Sequence, residues 1–79
     1  MKINEKIIKL RMAYNLTQGE FSKLLDTNQT TFSSWEIGRF MPRYRTLMKL
    51  MELGKKYDIE FSLDDILKHR KIKNKTERK

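Results

Sequence analysis

Residues 16–38 read LTQGEFSKLLDTNQTTFSSWEIG, and their pattern decides the fold. Thr17 followed three residues on by Glu20 is a capping box, in which hydroxyl and carboxylate each satisfy a main-chain N–H left over at a helix start. Phe21, Leu24 and Leu25 give that helix one apolar side. Asp26 and Thr27 make a turn, and Asn28 is a good cap for the next helix, which Gly38 stops. The stretch therefore predicts two short helices joined by a tight turn, over about residues 17–25 and 29–36.

Working outward, Ile3, Ile7, Leu10 and Tyr14 recur at helical spacing, and Asn15 follows as a left-handed terminator. A first helix is expected from about Asn4 to Tyr14. Beyond the central stretch, Pro42 opens the way into a fourth helix with Leu47, Leu50 and Met51 facing inward and Met48 as further core filling. Two endings stay open for it. Gly54 can stop the helix, leaving Tyr57, Ile59 and Phe61 to alternate like a short strand; or the helix runs through Gly54 to Tyr57, at a cost of about 1 kcal/mol. Ser62 with Asp65 then starts a fifth helix carrying Leu63, Ile66 and Leu67. After His69 nothing apolar is periodic, which predicts a disordered tail. The reading is an all-α, compact five-helix domain over residues 1–69 and a basic tail over 70–79.

Seventy-nine residues make one domain near the lower limit for a self-sufficient core. There is no cysteine, which excludes disulfides and thiolate metal sites. His69 is the only histidine and has no ligand set around it, so neither metal nor cofactor is expected. The net charge of +8 is uneven: residues 1–69 hold 12 Lys and Arg against 9 Asp and Glu, and residues 70–79 hold 6 against 1. Such a balance favours a polyanionic partner. A membrane surface would want a broad apolar face beside the charge, which the tail HRKIKNKTERK lacks. No apolar run approaches the roughly 20 residues that span a bilayer, and the charged, periodic start MKINEKIIKL is unlike a secretory signal. A cytoplasmic protein is expected.

The helix over residues 29–36 carries the functional signal. At about 100° per residue, Phe32 and Trp35 fall on one side and Thr30, Ser33 and Ser34 on the other, with Gln29 at the exposed N-terminal end. Exposed helix faces ordinarily carry Lys, Glu or Arg; this one carries neutral hydrogen-bonding residues, of which Thr and Ser are not strong helix formers. Stability does not explain the choice. Reading donors and acceptors on base-pair edges does.

These residues resemble the helix-turn-helix of the phage Cro and repressor family, also called Xre-type regulators. The landmarks are Ile7, Leu10 and Arg11, then Leu16-Thr17-Gln18, Glu20, Phe21, Asn28, Phe32, Trp35-Glu36, Gly38 and Pro42. The resemblance implies that Gln29, Thr30 and Ser34 face base edges, with Thr31 and Ser33 at the margins. It implies backbone contacts from Asn28, Arg39, Arg43 and Tyr44, and from Gln18, which would donate to a phosphate or reach an outer base. Arg11 and Glu36 match a structural salt bridge of the family. Asp26 departs from the pattern where Gly is usual in the turn, Thr27 where an aliphatic residue is usual, and Gly19 where Glu or Ala is common. Ser22 takes the small-residue position that lets the second helix of the motif approach.

The expected function is sequence-specific binding of double-stranded DNA as a transcriptional repressor. A homodimer on a pseudo-palindromic operator is implied by the motif class. Its contact is expected in the fifth helix or in Tyr57–Phe61, with Ile8 and Met12 next in line. No small-molecule ligand is expected. No enzyme reading survives: there is no activated nucleophile, Gly-rich phosphate loop or paired carboxylate in a pocket. Two alternatives remain, an antitoxin-like autoregulator that also binds a toxin, and a protein-interaction module on the same scaffold.

Overall fold

The computed structural model describes residues 2–65, and within them every regular element is helical. Helix α1 spans Ile3–Ala13, α2 Gln18–Leu24, α3 Gln29–Glu36 and α4 Tyr44–Gly54, followed by a 3-10 turn over Lys55–Tyr57. Residues 63–65 form one more helical turn where the fifth helix is expected. The rest of that helix, His69 and the basic tail lie outside the described residues.

Local chemistry explains the boundaries. The Thr17 hydroxyl accepts from the Glu20 amide at 3.1 Å while Glu20 accepts from the Thr17 amide at 2.9 Å, the full capping box. Asn28 caps α3 by accepting from the Thr31 amide at 2.8 Å. Three helix ends turn on residues with positive φ: Asn15 at 58°, Asp26 at 58° and Gly38 at 79°. Asp26 thus adopts the left-handed conformation that makes Gly usual there, a conformation Asp visits more readily than most residues. Helix α1 starts and ends one residue earlier than the spacing predicts: the Lys2 amide donates to Glu5 Oε1 at 3.2 Å at its start, and Tyr14 is its last cap before the reversal at Asn15.

The core gathers Ile3, Ile7 and Leu10 from α1, Phe21 and Leu25 from α2 and its end, Phe32 and Trp35 from α3, and Leu47 and Leu50 from α4. Helix α1 packs on α3 and α4, and α3 also packs on α2. Ser22 is fully covered and its hydroxyl donates to the Gly19 carbonyl at 2.8 Å, so a small self-satisfied residue sits inside the motif. Tyr14, Phe21, Phe32 and Trp35 form a run of tilted and edge-on rings with centroids 5.6–5.9 Å apart. Such edge-to-face contacts suit aromatic quadrupoles.

Three expectations need correction. Met48 is not core; it is 47% exposed, because α4 turns Leu47, Leu50 and Gly54 inward and Met51 and Leu53 join them as half-buried neighbours. The end of α4 combines both readings: the α-helix stops at Gly54 and one 3-10 turn carries the chain to Tyr57, with Asp58 at a φ of 59° reversing it. Ile59 and Phe61 are not spare apolar groups awaiting a second copy; they fold back under α4 and are buried in this protomer's own core. The Ile59 amide donates to the Gly54 carbonyl at 3.0 Å. A side chain at Gly54 would collide with the Ile59 carbonyl oxygen, so this glycine serves a close approach, its φ of −69° being ordinary for any residue.

Candidate nucleic-acid interface

Helix α3 is amphipathic in an unusual sense. Phe32 and Trp35 anchor it inward, while Gln29 and Thr30 are exposed and Thr31, Ser33 and Ser34 half-buried on the outer side. The Ser34 hydroxyl donates to the Thr31 carbonyl at 2.6 Å, which leaves its oxygen lone pairs free to accept. The segment after Gly38 then turns back alongside the helix. Arg39 and Phe40 both donate their amides to the Ser34 carbonyl, at 2.9 and 3.3 Å, and Gly38 donates to Trp35 at 3.2 Å. Met41 packs against the core and Pro42 is buried, so the segment is fastened at both ends.

Helix and segment enclose a groove. Gln18, Gln29, Thr30, Thr31, Ser33, Ser34, Arg39 and Arg43 all line it. Asn28 and Tyr44 do not. Asn28 is occupied as the cap of α3, and Tyr44, 60% exposed, borders a neighbouring hollow with Arg43, Arg45 and Lys49. Arg39, Arg43 and Arg45 are exposed, and among the described residues none pairs with a carboxylate. Arg45 and the groove residues Ile37, Phe40 and Thr46 are not singled out by the sequence reading. The signal was present in RFMPRYR, residues 39–45, where three arginines fall among seven residues.

Beneath the outer side lies a chain of polar contacts. Arg11 Nε donates to Glu36 Oε2 at 2.7 Å, Nη2 to Oε1 at 3.4 Å, and Nη1 to the Leu16 carbonyl at 3.0 Å. Glu36 is 5% exposed, so this is a largely buried carboxylate with its charge matched. Gln18 Nε2 donates to Glu36 Oε1 at 2.8 Å, and Gln29 Nε2 to Gln18 Oε1 at 3.4 Å. The amide of Gln18, which sequence reasoning directs to a phosphate or an outer base, is thus held between Glu36 and Gln29. Both ends of the Gln29 amide thus lie against α2. Its Oε1 lies over Gly19, where an added Cβ would stand 3.3 Å away. Asp26, at the rim, accepts from Lys49 at 2.7 Å; that hydrogen bond and the lysine charge hold its carboxyl below the usual carboxylate range.

A family model described as helix-turn-helix matches residues 7–60, which contain α2, its turn, α3 and the groove. The chain belongs to this helix-turn-helix family. Among curated proteins, this helix-turn-helix chain is similar to the antitoxin HigA-2 of Vibrio cholerae serotype O1, 36% identical over 50 residues that make up 61% of the chain and 48% of that protein. It is also similar to the HTH-type transcriptional activator BcrR of Enterococcus faecalis, 38% identical over 47 residues, or 60% of the chain and 23% of that protein. The chain thus spans about half of one relative and a quarter of the other. No solved structure matches it.

Proposed function

We propose that this protein is a transcriptional regulator that binds duplex DNA sequence-specifically, with α3 lying in the major groove. The observation that carries the reading is the neutral outer side of α3, framed by arginines that have no carboxylate partner among the described residues. Arg39, Arg43 and Arg45, with Asn28 and Tyr44 nearby, supply sequence-independent affinity through phosphates. Gln29, Thr30 and Ser34, with Thr31 and Ser33 beside them, supply selectivity through base edges. Helix α3 offers no Lys or Arg, so the bidentate contact to guanine is absent from it. Gln29 can pair with adenine and the threonine methyls suit thymine, so half-sites lean towards A·T pairs. The chemistry is recognition, not catalysis.

A homodimer on a pseudo-palindromic operator in the cytoplasm, repressing by occlusion of a promoter, completes the proposal. Selection from random duplex DNA tests it. One enriched motif whose log affinity falls linearly with log salt supports it; salt-insensitive or absent DNA binding replaces it with a protein-interaction module. The likeness to an antitoxin supports a second reading, in which the same DNA-binding domain also masks a toxin. Co-purification with the product of an adjacent gene separates the two.

A further inference from the structure

Two large apolar side chains have no structural reason to stand where they do. Ile37 is 67% and Phe40 63% exposed, and both line the same groove as Gln29, Thr30 and Ser34. Scattered exposed apolar residues need no explanation. These are not scattered: they lie three residues apart on a segment pinned by the Gly38, Arg39 and Phe40 amides. Their exposure is therefore a fixed presentation, held by the anchored Met41 and Pro42 below. On either side of Phe40 stand Arg39 and Arg43, so whatever covers the lip brings negative charge with it. A second copy of this chain would bring the same arginines against these. Duplex DNA meets both demands, because the only apolar knob on its major-groove edge, the C5-methyl of thymine, stands within reach of the phosphates.

We propose that Ile37 and Phe40 form an apolar lip that packs on thymine methyl groups at the edge of the bases read by α3. The inference rests on the DNA-binding reading above and extends it, since the lip makes the post-recognition segment a source of selectivity as well as of phosphate contacts. Polar Gln, Thr and Ser read hydrogen-bonding edges; the lip reads a group that has none.

The test replaces thymines of the selected duplex one at a time by uracil, which removes only the methyl and leaves the base pair intact. For the wild-type protein, one or two replacements should weaken binding about three- to tenfold, the scale of one buried methyl. In Phe40→Ala or Ile37→Ala those same replacements should change affinity by less than about 1.5-fold, while Phe40→Leu keeps part of the effect. Both side chains are exposed, so helicity and melting temperature should match wild type. Uracil effects of equal size in wild type and variants overturn the lip while leaving the DNA reading intact. A fall in oligomer mass in Phe40→Ala, without loss of uracil sensitivity, assigns the lip to contact between copies and also overturns it. Wild-type protein that prefers no duplex removes both the lip and the function beneath it, an outcome distinct from the other two.

Discussion

Gly54→Ala sets two physical effects of opposite sign against each other. Helix propensity alone favours alanine by about 1 kcal/mol. The fold opposes it, because the new Cβ would run into the Ile59 carbonyl oxygen and touch the Phe61 ring at 3.4 Å. The obstructing atom is main chain, so no rotamer change relieves the collision. The segment must move, stretching the 3.0 Å bond from the Ile59 amide to the Gly54 carbonyl and lifting Ile59 and Phe61 from the core. Complete release would forfeit about 1.5–3 kcal/mol for each side chain, whereas partial displacement costs nearer the about 1–3 kcal/mol of an overpacked core. Set against the propensity gain, a net loss of about 1 kcal/mol is expected. For a domain of this size that lowers Tm by about 4–8 °C. Thermal unfolding followed by circular dichroism measures it. A variant melting at or above the wild-type temperature would refute the claim that Gly54 is there for the Ile59 approach.

Arg11→Ala should destabilise the domain by about 3 kcal/mol, at the low end for a broken buried pair because Gln18 still donates to Glu36. Wild-type melting with lost DNA binding would show that Arg11 contacts DNA instead. Gln29→Ala should cost roughly 1–3 kcal/mol on the selected operator and relax one base-pair preference, with non-specific affinity nearly unchanged. Equal weakening on all sequences, measured by titration, would make Gln29 a backbone contact. Removing residues 70–79, which hold 6 Lys and Arg, should flatten the plot of log affinity against log salt by about 0.9 for every phosphate that the tail neutralises. An unchanged slope assigns the tail another task.

What the sequence made legible was what short-range chemistry decides. The caps Thr17 and Asn28, the reversals at Asn15 and Gly38 and the inward side of α3 depend on residues within a turn of one another. Gly54 was ambiguous because its purpose is a contact five residues away, and glycine as terminator looks the same on paper. Met48 faces outward against expectation because apolarity does not say which neighbouring position of a helix faces in. The Gln18–Glu36 bond joins the start of α2 to the end of α3, a meeting that only the packed motif creates. The exposure of Ile37 and Phe40 was equally hidden, for periodicity describes helices and says nothing of a loop folded back on one.

The position of Trp35 makes the chain its own optical probe. It is the single tryptophan, 6% exposed, with its ring edge-on to Phe32 at 5.9 Å on the inner side of the proposed reading helix. Its emission should lie to the blue and resist iodide or acrylamide, and unfolding should shift it to the red. Bases read by Gln29 and Thr30 meet the outer side of α3, and too little of the Trp35 ring is exposed for them to stack upon it. Fluorescence that changes on adding duplex would therefore report movement of that helix against the core, whereas constant fluorescence alongside measured binding would mean that the motif docks as a rigid body.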